Sequence, residues 1–380
     1  MYRLQVTAGE LNIRNSPNAD PTYANRIGSL MQGTIFNAEQ LVTGQAYEGN
    51  DQWYKDSFNR YYWAGGVKQL PPLQEAPPVQ PSVTPAAPVV NAAIPQWMND
   101  LRLPEIWQRA TGSGVGIAIV DTGIAPGIAD LPYNTTSFYT YAPGVQLTDN
   151  SGHGTNCAAL AGARNKAGNY IGVAPGCNLY ICKISENIFF DNPATDTMRY
   201  ADAINWCAGQ KDIHVISVSW GNPITDASIL GAIQGAVANA IKNNKVVICA
   251  MGEAYSFGEA TELYPACTSG SFGIGAIPVT DTLYPFVNSH LLAVTSGTGM
   301  PSYYKDGSIQ TMDGTSQSNA AAAGIIALMI QKTGFNYTPA SIRQDLQKLL
   351  KPTSFTADGT TLTLPVIDGG LLLQYFTTAT

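Results

Sequence analysis

The spacing of apolar and polar residues changes near residue 94 and divides the chain into two regions. Before that point, short alternating segments are separated by turn residues, which is typical of strands in a small all-β fold. We therefore expect a small β-barrel over residues 1–70. Its predicted strands are Leu11–Asn18, which runs into a turn, Arg26–Leu30, Gly33–Ala38, Gln52–Asp56 and Tyr61–Val67.

From residue 94 onward, short apolar runs bounded by turns alternate with longer stretches of helical character. Strands that are apolar throughout are typical of parallel sheets, and their alternation with helices predicts an α/β fold with helices on both faces. Functional sites of such folds lie at the carboxyl ends of the strands. The predicted strands are Val115–Val120, Leu179–Ile184, Val215–Trp220, Val246–Ala250 and Phe272–Ile277, and the predicted helices are Thr155–Ala163, Ala194–Ala208 and Asp226–Asn243.

Residues 71–93 contain repeated prolines and almost no charge, which indicates an extended, semi-rigid linker. A proline-rich ligand for a partner protein is the alternative interpretation of this segment. The predicted organisation is therefore a barrel over residues 1–70, a linker over 71–93 and an α/β domain over 94–380.

Charged residues make up only 12% of the 380-residue chain, and the formal net charge is −7. Because no basic cluster is present, neither nucleic acid nor an anionic membrane is expected as a partner. The longest apolar run, 320–330, is shorter than the roughly 20 residues that a membrane span needs. The N-terminus lacks the apolar segment of a signal peptide, and the six cysteines form no Cys-x-x-Cys pair. We interpret the cysteines as buried free thiols and predict a cytoplasmic location, or a secreted or periplasmic one if a leader has been removed.

Ser316 lies within Asp313–Asn319, directly before the apolar run, which predicts a helix buried on all sides. At the mouth of such a helix the backbone N–H groups are unpaired and the dipole is positive, which suits a nucleophile whose reaction creates an oxyanion. A helix-capping serine is the simpler interpretation of this motif alone. Partners elsewhere in the chain decide between the two.

Two further polar residues lie at the ends of predicted elements. Asp121 directly follows the first buried strand and is followed by Thr-Gly, and His153 begins a helix within Ser-Gly-His-Gly-Thr. A single histidine at a helix start is usually structural. An acid, a histidine and a serine that each occupy such an end together indicate a nucleophile with its base and the group that orients the base.

Residues 94–380 resemble the subtilisin family of serine proteases (subtilases, S8-type). The order Asp121, His153, Ser316 and the separation of 32 residues between the first two match that family. The resemblance implies an α/β, doubly wound parallel sheet and a serine endopeptidase, a hydrolase that works through an acyl-enzyme. Further matching segments are Val173-Ala174-Pro175, Val218-Ser219-Trp220-Gly221, Tyr264-Pro265 and Gly369-Gly370.

The family resemblance also assigns roles. Ser316 attacks the peptide carbonyl, His153 transfers the proton, and Asp121 holds the imidazole and stabilises its charged form. The backbone N–H of Ser316 is one donor to the oxyanion. Ser219, Trp220 and Gly221 match the strand that pairs with the extended substrate, with Trp220 lining an apolar subsite unless it faces the core, and Met251 and Gly252 are further candidate substrate-binding residues.

The largest departure from the family lies at Glu253, where the family has an Asn whose amide donates to the oxyanion. Loss of that donor in subtilisin costs about 10²–10³ in kcat. An ionised carboxylate about 4 Å away would add a repulsion of about 4 kcal/mol at an effective dielectric of about 20. Three interpretations stay open: a protonated Glu253 that donates at acidic pH, a Glu253 directed into the first specificity pocket, and a slow or inactive protease.

Gln317 follows the serine where the family usually has Met. We expect its amide to replace part of the missing donor, with Thr315 as a further candidate at the oxyanion hole. Because Gln carries no oxidisable sulfur, we also expect resistance to peroxide.

No cofactor is expected, and calcium is the one metal that stays possible. Asp130 matches a calcium ligand of the family, but Lys166 stands where a neutral Asn ligand is expected, so we predict that the usual calcium site is disrupted. No His or Cys pair has the spacing of zinc ligands.

Residues 1–70 resemble the bacterial SH3-like domains. The resemblance implies binding of a peptide, of cell-wall material or of the protease domain itself. The aromatic residues form either a ligand groove or simply the core. The matching features are the Leu-Asn-Ile-Arg-x-x-Pro start at Leu11, the Ile-Gly-x-Leu segment at Ile27, Trp53-Tyr54-Lys55 and the aromatic strand Tyr61–Gly66.

Two other functions stay open. A peptide transferase or macrocyclase of subtilisin type would use the same triad, but it needs a feature that keeps water from the acyl-enzyme. A degenerate, low-activity protease acting as a binding module would be consistent with Glu253. The protease and the transferase would both take a protein or peptide as substrate.

Overall fold

A computed structural model describes residues 2–19, 25–31, 35–55, 61–70, 94–187, 193–252, 262–277, 289–357 and 360–378. The chain divides into two compact units, Met1–Gln80 with Ala142–Gln146, and Pro81–Tyr141 with Leu147–Thr380. The predicted linker over 71–93 lies outside the described residues, and the domain limits at 70 and 94 stay predictions.

The first unit is all-β in its described part. Two antiparallel sheets have the strand orders β4-β1-β8 and β3-β2-β7-β6-β5. Leu4, Leu11, Tyr54 and Tyr62 pack together in the core, so these aromatic residues are core residues. The strands are β1 (Tyr2–Val6), β2 (Glu10–Arg14), β3 (Arg26–Met31), β4 (Ile35–Ala38), β5 (Gln40–Tyr47), β6 (Asn50–Lys55), β7 (Tyr61–Trp63) and β8 (Val67–Leu70), with a 3₁₀ turn at Ala64–Gly66.

The second unit is built on a sheet with the described order β10-β11-β9-β12-β13-β14-β15-β19-β18. Its strands pair in parallel from β10 to β19, and only β18 runs antiparallel to its neighbour. The five predicted strands are confirmed as β9, β11, β12, β13 and β14. The strands are β9 (Gly116–Asp121), β10 (Tyr139–Thr140), β11 (Asn178–Lys183), β12 (Val215–Val218), β13 (Val246–Ala250), β14 (Phe272–Ala276), β15 (Leu291–Thr295), β18 (Leu350–Ala357) and β19 (Thr360–Ile367), and a separate hairpin contains β16 (Met300–Tyr303) and β17 (Ile309–Met312).

Helices cover the sheet, and the predicted buried helix is confirmed as α6, whose residues from Ala320 to Ile330 are all buried. Gly324 lets α6 pack closely, because a Cβ there would lie 2.6 Å from the Val173 Cβ and 3.0 Å from the Ala161 carbonyl oxygen. The described helices are α1 (Gln96–Asp100), α2 (Leu103–Ile106), α3 (His153–Gly162), α4 (Pro193–Ala208), α5 (Ala227–Lys242), α6 (Thr315–Lys332), α7 (Pro339–Lys348) and α8 (Gly369–Thr377).

Candidate active site

Asp121 is the last residue of β9, a strand that lies between β11 and β12 and is buried along its whole length. Its Oδ1 lies 2.7 Å from Nδ1 of His153 and also accepts the N–H of Thr122 at 2.7 Å. Its Oδ2 is buried and has no hydrogen-bond partner among the described residues. The carboxylate therefore commits one oxygen to the histidine at the carboxyl edge of the sheet.

His153 is the first residue of α3, directly after Gly152. Gly152 has a φ of +95°, and a Cβ at this position would lie 2.1 Å from the ring of Tyr304, so the turn into the helix requires glycine here. Burial lowers the pKa of His153, but the charge of Asp121, the neighbouring Cys157 and their hydrogen bonds outweigh burial and raise this pKa well above 6.5. The imidazolium form is therefore stabilised, as a general base requires once it has taken a proton.

Cys157 lies one turn along α3 from His153. Its sulfur lies 4.0 Å from Nδ1 of His153 and 3.9 Å from the carbonyl oxygen of Ser316. The ligand atoms of Asp121, His153 and Cys157 lie within 4.8 Å of one another, close enough to hold a metal ion. However, burial raises the pKa of the Cys157 thiol, and the acid and the histidine are hydrogen-bonded to each other, so we interpret the group as a catalytic pair beside a thiol.

Ser316 is the second residue of α6 and lies at the mouth of this buried helix. Its hydroxyl donates to the carbonyl oxygen of Ser219 at 2.9 Å, and the Ser219 hydroxyl donates back to the Ser316 carbonyl oxygen at 3.3 Å. Cys157 contacts both the His153 ring and the Ser316 backbone, so the histidine and the start of the helix with the serine meet at one side chain. The structure thus brings the three predicted triad residues together.

Trp220 follows Ser219 after the end of β12, and its ring faces His153. The two ring centroids lie 6.5 Å apart with an interplanar angle of 17°, and the rings of Tyr200 and Trp220 are perpendicular with their centroids 6.0 Å apart. Trp220 is half-buried, so it forms part of the wall of the site and is not enclosed in the core.

The segment that follows β13 is hydrogen-bonded to the residue before Ser316. The N–H of Gly252 donates to the hydroxyl of Thr315 at 2.9 Å, so the Thr315 hydroxyl positions this segment. The side chain of Met251 is fully buried and packs in the core, so only its backbone is left for the predicted contact with substrate, which stays a prediction. Glu253 lies outside the described residues, and its interpretations stay predictions.

Gln317 does not supply the expected oxyanion donor. Its side chain is 1% exposed, and its Nε2 donates to Oδ1 of Asn156 at 3.2 Å, inside the contact between α6 and α3. Position 317 directly follows Ser316 in a helix, where successive side chains point in different directions. The sequence shows which residue occupies the position but not the direction in which its amide points.

Asp130 and Lys166 test whether the calcium site of the family fits this chain. Asp130 is fully buried, its Oδ1 accepts the N–H of Ala167 at 2.6 Å, and its Oδ2 accepts the hydroxyl of Tyr303 at 2.5 Å. Both oxygens are therefore occupied by neutral donors, and the loop that would complete a calcium site carries the cation Lys166. These residues do not fit an oxygen-rich calcium site.

Asp149 is a site residue that the sequence analysis missed. It is 3% exposed and precedes His153 by four residues. An acid just before a helix start is a recognisable capping signal. However, Asp149 also accepts a hydrogen bond from the Thr122 hydroxyl at 2.8 Å, and this bond between residues distant in sequence depends on the tertiary structure.

The fold and this arrangement define an α/β protein with a serine-hydrolase type of site. The family model of the subtilases matches residues 112–362, and the chain belongs to the subtilase family, the family of the subtilisin-type serine proteases. The chain is 28% identical to M-protease of Shouchella clausii over 259 residues, which are 67% of this chain and 64% of that relative, so it spans just under two thirds of that length. It is also 28% identical to Subtilisin Savinase of Lederbergia lenta over 259 residues, which cover 67% of this chain and 90% of that protein.

Solved structures share the fold. The crystal structure of MycP1 without its N-terminal propeptide has a TM-score of 0.60 at 22% identity and covers 74% of this chain and 98% of its own. A cold-adapted subtilisin-like serine proteinase has a TM-score of 0.56 at 21% identity and covers 68% of this chain and 90% of its own. Within the described part of the chain, no helix is long and apolar enough to cross a membrane.

Proposed function

We propose that the chain is a serine endopeptidase that hydrolyses peptide bonds in proteins or peptides through an acyl-enzyme. The observation that carries this proposal is the 2.7 Å contact between Asp121 and His153 beside the mouth of the helix that holds Ser316. Membership of the subtilase family supports the same function.

In the proposed reaction, the Ser316 hydroxyl breaks its hydrogen bond to the Ser219 carbonyl oxygen. Its Oγ then attacks the carbonyl carbon of the substrate while its proton passes to Nε2 of His153. Asp121 accepts a hydrogen bond from Nδ1–H of His153, which fixes the tautomer of the ring and stabilises the imidazolium. His153 then returns the proton to the leaving amine, and water repeats the sequence on the acyl-enzyme. The backbone N–H of Ser316, near the N-terminus of α6, donates to the oxyanion.

Residues 219–221 are proposed to bind the substrate backbone. They follow β12 at the carboxyl edge of the sheet, and Trp220 faces the histidine with its ring half-buried. An extended substrate that pairs with this segment would place its scissile carbonyl near Ser316, because Ser219 and Ser316 already exchange hydrogen bonds.

The atypical oxyanion hole is the unusual part of the proposal. A donating Glu253 must be protonated, whereas a His153 that acts as a base must be neutral. Because the pKa of His153 is raised, His153 is neutral only at a pH at which an ordinary Glu is ionised. Both conditions therefore hold at one pH only if the pKa of Glu253 is raised as well. We therefore propose that Glu253 slows the enzyme at neutral pH, and that Glu253→Asn increases kcat there. If Glu253→Asn leaves kcat at neutral pH unchanged, the assignment of Glu253 to the oxyanion hole is wrong.

We also propose that the protease unit needs no calcium at Asp130, since both of its carboxylate oxygens already accept hydrogen bonds. Asp121, His153 and Ser316 carry the proposed reaction without a cofactor.

A fluorophosphonate probe tests the function directly. We expect it to label Ser316 in the unmodified chain and not in Ser316→Ala, over pH 4–9, a range that brackets the ordinary Glu and His pKa values. Hydrolysis of labelled casein by the same samples distinguishes a working protease from a reactive serine. Absence of labelling at every pH would favour a degenerate binding module instead.

A further inference from the structure

Asp149 is a buried carboxylate that is saturated with hydrogen bonds. Its Oδ1 accepts from the N–H of Ser151 at 3.0 Å, the N–H of Gly152 at 2.8 Å and the hydroxyl of Thr122 at 2.8 Å. Its Oδ2 accepts from the N–H of Thr155 at 2.8 Å and from the Thr155 hydroxyl at 2.6 Å. Five donors therefore converge on a side chain that is 3% exposed.

These bonds join the two halves of the Asp121–His153 pair. Thr122 directly follows Asp121, and its hydroxyl donates to Asp149 while it accepts the N–H of Gly154 at 2.9 Å. Gly154 directly follows His153. Thr122 and Gly152 are thus hydrogen-bonded to the Asp149 carboxylate, and Gly154 is hydrogen-bonded to the Thr122 hydroxyl.

Because all five neighbouring groups donate hydrogen bonds to Asp149, they favour its ionised carboxylate over the protonated acid. No Lys or Arg nitrogen in the described part of the chain lies within 4.0 Å of the Asp149 carboxylate, so the charge is stabilised by N–H and O–H dipoles and by the N-terminus of α3. Burial alone would raise the pKa of Asp149, but the hydrogen bonds from Thr155, Gly152 and Thr122 lower it below its ordinary value. An asparagine at position 149 has the same size, but its NH₂ group would face N–H and O–H donors and would lose the hydrogen bonds that one carboxylate oxygen now accepts.

We propose that Asp149 is a positioning residue for catalysis, which fixes the ring of His153 against Asp121 by capping α3 and by holding Thr122. This inference rests on the proposed function, because it concerns the same reaction. Asp149 does not touch the reacting atoms, and its effect passes through the start of α3 and the turn after β9. A misplacement of about 1 Å in such a pair costs about 10²-fold in rate.

The test compares Asp149→Asn with the unmodified full-length chain. We expect the second-order rate of fluorophosphonate labelling at Ser316 to fall by about 10²-fold, and kcat on labelled casein to fall by the same factor with little change in KM. Asp226→Asn is the matched control, since Asp226 caps α5 by accepting from Ser228 and Ile229 and lies on an exposed helix end. This control should retain its labelling rate.

A spectroscopic reading separates positioning from general loss of structure. The chain has three histidines, so the ring protons of His153 can be followed by proton NMR against those of His214 and His290. In the unmodified chain the His153 midpoint should lie above 6.5, because Asp121 and Cys157 face the ring. In Asp149→Asn the midpoint of His153 should move downward while that of His214 stays in place. If Asp149→Asn does not fold, Thr122→Val provides the same test, because it removes one donor and leaves the helix cap.

The outcomes are distinct. A variant with a lower melting temperature but an unchanged labelling rate and His153 midpoint would show a merely structural carboxylate and overturn the inference. An unmodified chain that neither labels nor cleaves casein would overturn the proposed function and the catalytic role of Asp149 with it. Loss of labelling together with the shifted midpoint, seen only in the Asp149 and Thr122 variants, is the supporting result.

Discussion

Asp121 and Asp130 are two buried carboxylates nine residues apart in the chain, and they have opposite hydrogen-bonding arrangements. Asp121 has one oxygen on His153 and a second oxygen without a hydrogen-bond partner among the described residues. Asp130 has both oxygens on neutral donors, the Ala167 N–H and the Tyr303 hydroxyl. The first arrangement strengthens when its partner becomes charged, whereas the second gains nothing from a cation. The same type of side chain therefore suits the proposed chemistry in one place and stability in the other.

The largest expected effect is that of Asp121→Asn, which should lower kcat by about 10⁴ because the amide no longer fixes the required His153 tautomer. The fluorophosphonate labelling rate and casein hydrolysis measure it. Asp130→Asn is the counterpart and should lower stability while the folded fraction keeps its kcat. If both variants lose kcat equally, the contrast between the two carboxylates does not hold.

The next effect concerns Tyr303→Phe. Removing the hydroxyl leaves an oxygen of Asp130 buried without its donor, which should cost about 1–3 kcal/mol in the free energy of unfolding. Burial and the bond to Asp130 raise the pKa of Tyr303 to about 12, so its hydroxyl stays a donor over the ordinary pH range. Urea unfolding measures the loss, with Tyr304→Phe as the neighbouring control. A loss no greater than that of the control would show that the bond contributes little.

The pH dependence of catalysis gives a smaller effect. His153 acts as a base only when neutral, and its pKa is raised well above 6.5, so kcat/KM should rise as the pH increases through that raised pKa. Below the midpoint the rate should fall by about tenfold per pH unit. A profile with its maximum in the acid range would instead favour a protonated, donating Glu253.

The smallest expected effect is that of a chelator. If Asp130 needs no cation, EDTA should leave the melting temperature and the rate of casein hydrolysis unchanged, and added calcium should not raise either. Differential scanning calorimetry with and without EDTA checks this. A lower melting temperature in EDTA that added calcium restores would contradict this prediction.

Much of the second unit could be predicted because its signals are local. A wholly apolar run such as the one that forms β9 is buried on both faces in whatever parallel sheet it joins, and the run from Ala320 to Ile330 fits only a buried helix. The edge strand β18 and its neighbour β19 escaped prediction, because they carry many Thr and few continuous apolar residues. An edge strand is half exposed, so its pattern resembles that of a loop.

The candidate site divides in the same way. The sequence determined the residue types and their order, with Asp121, His153 and Ser316 each at the end of an element, because an element end follows from local pattern and turn chemistry. Only the tertiary structure decided where side chains point. Gln317 was expected at the oxyanion and instead bonds to Asn156, while Cys157 contacts both the His153 ring and the Ser316 backbone. The physical reason is that a hydrogen bond between residues distant in sequence depends on how the elements pack together.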